Sequence, residues 1–547
     1  MENIELVPFY EFSIILILAA ILGAIGQLLR QPLIVIFIAL GILVGPSVLN
    51  LVESTDKIHL LSDLGIAILL FVVGLKLDLN LIRSMGKVAI ITGLGQVIFT
   101  SVFGFIIGLL LGYSILFSLY IAIALTFSST IIIVKLLSDK KEIDSLHGQI
   151  AIGFLIVQDL VVVLLMISLT ALDRSAEGQL GYNVLRMLGK GMGLALIFAL
   201  LMIYVIPTLV HYLAKSQELL VLFAIAWAVA AASVSDVLGF SREVGAFLAG
   251  VSLASTQYRN VLSGRLVSIR DFLLLFFFIH LGLHLDLGLI GNQVGPALLF
   301  SLFVLIGNPL IVMVIMGLMG YRKRTSFLAG LTVAQISEFS LIFAALGFNL
   351  GHINQETVGL ITLVGLITIG LSTYMIIYSH TLFAWLSPIL SIFEKKIPYR
   401  EDMSVKGQNI PIDAILFGLG RFGGNIALSF LKEGYRFIAV DFDPKQVQYW
   451  QKQGIQAQYG DIEDPELPDQ LPLQKASVVV SSIADLQLNL GLIKMLKMNN
   501  YNGKIAVTAH RASDALALQA EKETAILLPF TDAAESVPDK LFKFETT

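Results

Sequence analysis

Residues 145–172 read SLHGQIAIGFLIVQDLVVVLLMISLTAL, an apolar stretch that carries an amide and a carboxylate near its middle. About 20 apolar residues are enough for a helix to cross the hydrocarbon core of a bilayer, so this stretch predicts a membrane span. A carboxylate at that depth costs about 2.5–3.5 kcal/mol on insertion scales and typically faces a protein-lined cavity on an ion or proton path. We therefore expect Gln158 and Asp159 to lie at a functional centre. The alternative is that Asp159 only links helices through hydrogen bonds.

The composition agrees with a protein that crosses the membrane many times. Of the 547 residues, 56% are hydrophobic and only 14% are charged, and the mean hydropathy is +0.85; soluble domains carry about 25% charged residues. The chain has no cysteine, which excludes disulfides, thiolate metal sites and cysteine catalysis. The first twelve residues, MENIELVPFYEF, lack the basic start of a signal peptide. We expect the first hydrophobic segment to remain as a helix.

Apolar stretches of spanning length recur between residues 10 and 387 and predict about thirteen membrane helices. The third and ninth are short for a membrane of about 30 Å, so we expect them to be tilted or broken. The predicted spans are residues 10–29, 31–49, 61–77, 88–112, 115–136, 147–171, 187–213, 218–238, 243–257, 268–285, 296–319, 326–349 and 355–387.

Basic residues assign the sidedness of these spans, because Lys and Arg favour cytoplasmic loops. They fall in alternate loops, while the intervening loops at 111–115, 286–295 and 350–356 contain neither Lys nor Arg. The loop at 173–186, with Arg174 and Arg186, is an exception. The pattern predicts an external N-terminus and a cytoplasmic C-terminus. The basic residues of the predicted cytoplasmic loops are Arg30, Lys76, Arg83, Lys87, Lys135, Lys140, Lys141, Lys215, Arg259, Arg265, Arg270, Arg322, Lys323 and Arg324.

Two of the spans are interrupted by polar residues. The fifth contains TFSST at residues 126–130, and the twelfth contains Thr332, Gln335, Ser337 and Glu338. Hydroxyl and amide side chains can satisfy backbone groups that a local break in a membrane helix leaves free. A matched pair of interrupted helices in separate halves of a bundle is typical of transporters built from inverted repeats, with the ion site between the breaks. Ordinary hydrogen bonding between intact helices is the alternative.

The composition changes after residue 387. Residues 1–387 form the predicted membrane domain, residues 388–410 are polar and charged and predict a linker, and residues 411–547 predict a soluble domain. In that domain the apolar run IDAILF, residues 412–417, predicts a buried strand. The sequence GLGRFG, residues 418–423, follows at once and opens a stretch of helical periodicity. This order of strand, glycine-rich loop and helix is typical of the Rossmann fold.

Gly418, Gly420 and Gly423 occupy the three positions of the dinucleotide fingerprint, which serve a tight turn, the approach of a phosphate and close helix packing. Asp441 lies about 20 residues further on, where a carboxylate accepts hydrogen bonds from ribose hydroxyls. No general acid–base pair stands out beside the glycines, so we expect a nucleotide as a regulatory ligand and not as a hydride donor. A Rossmann domain that serves assembly with an empty site is the alternative.

Taken together, these stretches resemble the Kef-type monovalent cation:proton antiporters, in which a membrane antiporter core precedes a regulatory potassium-transport nucleotide-binding domain. The likeness covers roughly residues 10–535. It implies a polytopic α-helical membrane bundle with inverted repeats and crossed broken helices, followed by a C-terminal α/β Rossmann-like domain. It rests on RQPLIVIFIALGILVGPSVL (30–49), SDLGIAILLFVVGLKLDL (62–79), SSTIIIVKLL (128–137), GQIAIGFLIVQDL (148–160), GFSREVGAFLAGVSLA (239–254), AQISEFSLIF (334–343) and FGLGRFGGNIA (417–427).

The resemblance implies that Gln158 and Asp159 carry the ion and the proton, with K⁺ or Na⁺ bound at Asp159. It implies that the broken helices cross beside them at 126–130 and 335–339. Neutral oxygens for the cation are expected from Gln158, Thr126 and Ser129, and the second break contributes Gln335 and Glu338. A regulatory adenine nucleotide, AMP or NAD(H), is expected at Gly418, Gly420, Arg421, Phe422, Gly423, Asp441, Asp443 and Asp461.

One position departs from the family pattern. Related antiporters often carry a Lys in the tenth or eleventh span, near the carboxylate, whereas the matching place here reads IGNPLIV, with Asn308 before Pro309. A neutral Asn cannot form an ion pair with Asp159. A single carboxylate without a paired Lys suggests one proton per cation and therefore electroneutral exchange.

The expected function is exchange of K⁺, or alternatively Na⁺, for H⁺ by competition at Asp159 with alternating access. We expect a homodimer in the inner membrane, with the soluble domain in the cytoplasm, no enzymatic activity and no nucleic-acid partner. A potassium channel with the same kind of cytoplasmic domain is the first alternative, although a carbonyl filter such as TVGYG is missing from the sequence. A membrane-anchored nicotinamide oxidoreductase is the second, and His510 is its only nearby histidine.

Overall fold

The structure is a computed structural model that divides into two compact units. The first consists of residues 1–140, 150–316 and 326–386, and the second of residues 141–149, 317–325 and 387–547. The predicted loop at 173–186 and the first part of the predicted span at 187–213 lie largely outside the described residues. The structure describes residues 8–46, 48–51, 55–76, 86–173, 198, 200–238, 242–283, 287–395, 412–464, 467–519, 524–535 and 537–538.

Helices account for almost all of the described chain up to residue 395. Within that part, eight helical runs are long and apolar enough to cross a membrane, and four apolar helices are shorter. The helices are α1 (Pro8–Leu28), α2 (Leu33–Val44), α3 (Thr55–Lys76), α4 (Gly86–Leu110), α5 (Ile115–Ala124), α6 (Thr130–Asp139), α7 (Leu146–Asp173), α8 (Ile206–Leu213), α9 (Gln217–Leu238), α10 (Arg242–Ala254), α11 (Arg259–Leu283), α12 (Leu287–Leu302), α13 (Asn308–Leu318), α14 (Lys323–Leu331), α15 (Glu338–Asn349), α16 (Gln355–Ile377) and α17 (Ser379–Leu390).

The apolar stretch at 355–387 forms two helices, because a cation ends the first of them. The side chain of Lys140 donates hydrogen bonds to the carbonyl of Ile376 (3.3 Å) and to the hydroxyl of Ser379 (2.7 Å). A positive charge at the C-terminus of a helix satisfies its free carbonyls and is favoured by the helix dipole. Hydropathy alone does not detect this boundary.

The apolar core of the first unit surrounds the gap between α5 and α6 and the gap between α14 and α15. Phe127 lies in the first gap and is 1% exposed, and Phe339, at the start of α15, is 2% exposed. The rings of Tyr120 on α5 and Phe343 on α15 lie 5.2 Å apart. Large buried aromatic side chains therefore hold the two interrupted helices together at their breaks.

The soluble part of the second unit is a six-stranded parallel sheet in the order β3-β2-β1-β4-β5-β6. This order has its switch point at β1, where open α/β sheets bind their ligands beyond the carboxyl ends of the strands. The order confirms the predicted Rossmann-like domain. Its elements are β1 (Ile412–Phe417), α18 (Arg421–Lys432), β2 (Phe437–Asp441), α19 (Pro444–Lys452), β3 (Ala457–Tyr459), α20 (Leu467–Gln470), β4 (Ala476–Ser481), α21 (Leu486–Met498), β5 (Lys504–Thr508), α22 (Ala512–Gln519), β6 (Thr524–Leu527) and α23 (Pro529–Glu535).

Candidate functional site

The two helix breaks are formed by the polar clusters that the sequence indicated. Ser129 caps α6, since its hydroxyl accepts a hydrogen bond from the backbone N–H of Ile132 (3.4 Å). Ser337 caps α15 in the same way and accepts from the N–H of Phe339 (3.1 Å), while the side chain of Ser340 accepts from the Ser337 backbone. The helices that follow the two breaks, α6 and α15, therefore each begin at a serine cap inside the bundle.

Asn308 joins the two breaks. Its side-chain amide donates to the carbonyl of Leu125 (3.5 Å), at the end of α5, and to the carbonyl of Val333 (3.3 Å), just after α14. A π-helical turn at Phe303–Gly307 precedes Asn308. A helix that breaks inside a membrane must find partners for the carbonyls it frees. Asn308 supplies such partners to both broken helices at once, so this position has a structural role without carrying a charge.

A chain of neutral side chains runs from Asn308 to Gln158. Thr100 donates to the Asn308 oxygen (2.6 Å), the Gln96 amide donates to Thr100 (3.0 Å), and the Gln158 amide donates to the Gln96 oxygen (2.7 Å). The Gln158 oxygen also accepts from the backbone N–H of Ser128, in the first break (3.2 Å). All four side chains are fully buried. The network fixes the Gln158 side chain against the first break through hydrogen bonds that do not titrate.

Asp159 projects beside this network and is half-buried. Its carboxylate accepts a hydrogen bond from the hydroxyl of Thr130, the first residue of α6 (2.9 Å). Among the described residues, no Lys, Arg or His lies within ion-pair distance of this carboxylate. A carboxylate without a cationic partner, next to a polar helix break, can bind either a proton or a metal cation.

The other predicted transport residues form bonds of their own. Thr126 donates to the carbonyl of Ile123 (2.7 Å) within its own turn, and Ser129 acts as the helix cap. The Gln335 oxygen accepts from Ser372 on α16 (2.9 Å). Glu338 is buried and accepts from Ser337 (3.2 Å). Gln158 and Asp159 contact the first break from another helix, through the backbone of Ser128 and the hydroxyl of Thr130.

Sequence reasoning missed four members of the site, Gln96, Thr100, Thr130 and the bridging role of Asn308. Gln96 and Thr100 were visible as polar residues four positions apart in the largely apolar α4, which places them on one face of that helix. Thr130 was counted in the polar cluster but not as a partner of Asp159. Asn308 was noted only as a neutral residue at a position where related antiporters often carry a Lys.

A cavity of about 200 Å³ with a mixed polar and apolar lining lies between α3, α11, α15 and α16. His59 and Asp63 of α3, His280 of α11 and Gln355 of α16 line it. The histidine rings lie 5.0 Å apart, and Asp63 forms an ion pair with Arg242 (2.9 Å). Further along α3 and α11 the lining becomes apolar, with Ile66 and Phe277. These two residues belong to the core that surrounds the helix breaks, so the cavity borders that core.

The glycine loop of the second unit has the geometry that the fingerprint requires. Gly418 has a φ of +85°, a left-handed conformation that favours glycine. A Cβ on Gly423 would collide with the carbonyl oxygen of Gly418, whereas a Cβ on Gly420 would meet nothing within 4 Å. Arg421 and Phe422 begin α18 immediately after this open position, the former exposed and the latter half-buried. The N-terminus of α18 therefore faces open space where a phosphate can approach.

Asp441 ends β2 beside this loop. Its two carboxylate oxygens accept hydrogen bonds from the backbone N–H groups of Leu419 and Asp443. Burial raises the pKa of Asp441, and these hydrogen bonds oppose the rise. The carboxylate thus holds the glycine loop against the end of β2; its predicted hydrogen bond to a ribose stays a prediction.

The last two predicted ligand residues, Asp443 and Asp461, already have side-chain partners in the second unit. Asp443 caps α19 and accepts from the side chain of Gln149 (3.0 Å). Asp461 forms an ion pair with Arg324 at 2.6 Å. Burial alone would raise the pKa of Asp461, but the charge and hydrogen bond of Arg324 outweigh it and hold that pKa below its ordinary value. The sequence had marked Arg324 only as a cytoplasmic loop residue.

Comparisons with known proteins cover both units. Residues 14–377 match the family described as sodium/hydrogen exchanger, transmembrane, and residues 414–529 match the TrkA-N domain, a nucleotide-binding domain. The chain is 27% identical over 509 residues to YbaL of Escherichia coli (strain K12), whose name gives it provisionally as a cation/proton antiporter, with 90% of each chain covered. It is also 27% identical to the glutathione-regulated potassium-efflux system protein KefC of Escherichia coli (strain UTI89 / UPEC), over 88% of this chain and 76% of KefC.

The fold of the membrane unit has a counterpart among solved structures. The sodium proton antiporter MjNhaP1 from Methanocaldococcus jannaschii aligns with a TM-score of 0.51 and 18% identity, and the alignment covers 71% of this chain and 97% of that one. The resemblance to Kef-type antiporters and the predicted fold class are thereby confirmed, and the multi-pass membrane location follows from them. The chain belongs to the sodium/hydrogen exchanger family and is a cation/proton antiporter with a C-terminal TrkA-N domain of Rossmann-like fold.

Proposed function

We propose that this antiporter exchanges K⁺ for H⁺ at Asp159. The observation that carries the proposal is the state of that carboxylate, which lies half-buried, touches the Thr130 hydroxyl and has no cationic partner among the described residues. One carboxylate cannot hold a proton and a metal cation at the same time. Competition between the two therefore couples their fluxes, because each state of the transporter can carry only one of them.

The choice of K⁺ is supported by the relatives. KefC is named as a potassium-efflux protein, and its alignment extends over both units of this chain. Na⁺ is the second candidate, because the matching family is described by sodium/hydrogen exchange. Ion selectivity depends on the size and field strength of the coordinating shell. A direct comparison of K⁺ with Na⁺ is therefore part of the experiment below.

Alternating access is the transport mechanism we propose. The cavity beside His59 and His280 is also lined by Ile66 and Phe277, which belong to the packed core around the helix breaks. The helices α15 and α16 that line it meet at the loop 350–354, which has no Lys or Arg and therefore predicts the external side. A cavity that borders this packed core supports a state closed to the outside. Rocking of one helix group against the other would open it.

The neutral network supports electroneutral exchange. Asn308 occupies the position where related antiporters often carry a Lys, and its partners are Thr100 and two backbone carbonyls. No charge at this position compensates the charge on Asp159. Replacing one cation by one proton at a single carboxylate then moves no net charge in a complete cycle.

The proposed regulator is an adenine nucleotide, AMP or NAD(H), bound at the glycine loop in a cytoplasmic C-terminal domain. Support comes from the open approach at Gly420 and from the TrkA-N match. A ligand can shift a transporter between states only if it binds one state more tightly than the other. We also infer a homodimer, supported by the exposed apolar side chains Leu428, Leu431 and Tyr435 on and just after α18.

Proton flux in proteoliposomes tests the proposal. A pH-sensitive dye inside the vesicles reports flux driven by K⁺, Na⁺ or Li⁺. Asp159→Asn and Asp159→Ala should reduce it to the level of protein-free vesicles, while Asp56→Asn, which changes an exposed carboxylate in the first turn of α3, should leave it intact. Thr130→Val should keep the flux but raise the cation concentration for half-maximal rate by about three- to twentyfold, the equivalent of one hydrogen bond in a membrane protein. Flux that survives both Asp159 substitutions would reject the assignment.

A further inference from the structure

The carboxyl edge of the parallel sheet is in contact with two segments that connect membrane helices. The acceptors are carboxylates that follow β2, β3 and β4, the same edge that carries the glycine loop. The donors come from segments 141–149 and 317–325, which belong to the same compact unit. The contacts are Gln149 Nε2 to Asp443 Oδ1 (3.0 Å), Arg324 Nη1 to Asp461 Oδ2 (2.6 Å) and Lys141 Nζ to Asp485 Oδ2 (3.1 Å).

The Arg324–Asp461 pair differs from the others by its burial. The side chains of Arg324 and Asp461 are 7% and 18% exposed, whereas those of Lys141 and Asp485 are 81% and 35% exposed. Exposed ion pairs are screened by water and salt and contribute little. A buried charge that loses its partner is strongly destabilised, because water no longer solvates it. The backbone N–H of Glu463 already donates to Asp461 Oδ1 (3.0 Å), so it is Oδ2 that needs either Arg324 or another hydrogen-bond donor in its place.

Asp461 also lies where the base of a bound nucleotide would reach. Asp441, at the end of β2, pairs in register with Tyr459 at the end of β3, and the N–H of Gly460 donates to the Asp441 carbonyl (3.0 Å). A ribose held by Asp441 would thus direct its base toward the end of β3. The exocyclic amino group of adenine is a donor of the kind that a carboxylate accepts.

Arg324 fills the space beside Asp461 that the base of the nucleotide would need. The cavity between Arg322, Arg324, Tyr459 and Asp461 measures about 10 Å³, the volume of about one water. A purine base cannot enter it while Arg324 stays in place. We infer that Arg324 and the base of a nucleotide bound at the glycine loop are alternative partners of Asp461. This inference rests on the nucleotide site proposed above.

The competition would connect the ligand to the ion site through α14. Arg324 is the second residue of α14, and that helix ends at Leu331, immediately before the second break. A nucleotide that displaces Arg324 would release the N-terminus of α14 from its ion pair with Asp461. Because such coupling is reciprocal, the transporter state in which Arg324 holds Asp461 binds the nucleotide more weakly.

Equilibrium binding of AMP to the purified full-length protein in detergent, measured by calorimetry, tests the inference. Arg324→Gln should tighten AMP binding at least about fivefold, the lower end of typical coupling between sites. Lys141→Gln, which breaks the exposed pair at the same edge, should change it less than twofold. In an Asp461→Ala background the Arg324→Gln substitution should have no effect, because the shared acceptor is gone. Arg324→Lys keeps the charge on a different side chain and should give a smaller increase; it also serves if Arg324→Gln elutes as an aggregate.

The outcomes separate the two proposals. Unchanged or weaker AMP binding in Arg324→Gln, with measurable binding to the wild type, overturns the competition and leaves the nucleotide site standing. If neither AMP nor NAD⁺ binds the wild type or Arg324→Gln, the nucleotide site itself is rejected and the competition with it.

Discussion

The hydrogen-bond network beside the proposed ion site can be tested with two substitutions on one helix. Thr92 and Thr100 both lie on α4, eight residues apart, and both are fully buried. The Thr100 hydroxyl accepts from Gln96 and donates to Asn308. The Thr92 hydroxyl has no hydrogen-bond partner among the described residues. Threonine to valine replaces the hydroxyl with a methyl group of similar size at both positions, so the two variants differ in the bonds they lose.

The expected difference follows from these partners. Thr100→Val leaves the Gln96 amide and the Asn308 oxygen each without one hydrogen bond. Hydrogen bonds inside membrane proteins contribute about 0.6 kcal/mol on average and about 1.7 kcal/mol at most, so two of them amount to about 1–3 kcal/mol. Thr92→Val loses no bond and removes a buried hydroxyl that lacks a partner, which should be neutral or slightly stabilising. Thr100→Val should therefore be less stable than Thr92→Val by at least about 1 kcal/mol.

Thermal unfolding of the detergent-solubilised protein, followed by the monodisperse fraction on size-exclusion chromatography, measures the difference. The wild type and Thr92→Val should have similar midpoints, and Thr100→Val should have a lower one. Helix propensity cannot explain such a result, since both variants introduce the same residue into the same helix. A midpoint for Thr100→Val equal to or above that of Thr92→Val would show that the network does not stabilise the crossing of the broken helices.

Two further predictions concern the second unit. Gly423→Ala should lower both the folding yield and AMP binding, because its Cβ would collide with the Gly418 carbonyl. Gly420→Ala has room for its Cβ, so it should fold normally but bind AMP more weakly. Equal folding yields of the two variants would contradict this geometry. The stability that the Arg324–Asp461 pair contributes should be fully present above the ordinary carboxyl pKa of 3.8 and be lost as the pH falls through the lowered pKa of Asp461. The difference in unfolding midpoint between wild type and Arg324→Gln should therefore be constant from about pH 5 to 8 and shrink below about pH 4. A difference that changes between about pH 6 and 8 would instead indicate a titrating histidine.

Much of the architecture followed from local patterns in the sequence. Apolar runs identify spans because a bilayer has a fixed thickness, and the mid-span clusters at 126–130 and 332–338 predicted the breaks, because serine and threonine can cap a helix inside a membrane. The spacing of Gly418, Gly420, Gly423 and Asp441 predicted the Rossmann-like loop, since its tight turn and close packing require glycine at set distances. Asp159 stood out for its charge in an apolar run.

The partners of these residues depend on contacts between elements distant in the chain. Asn308 lies 183 residues from Leu125, and Arg324 lies 137 residues from Asp461. A residue's own type and neighbours do not specify which distant side chain it meets, because that depends on how the helices and the sheet pack in three dimensions. The sequence by itself thus determined that a carboxylate sits in a membrane span and that a glycine loop begins a nucleotide-type fold. Only the tertiary structure decided that the Asn308 amide bridges the two helix breaks and that Arg324 pairs with Asp461, a carboxylate expected to bind the nucleotide.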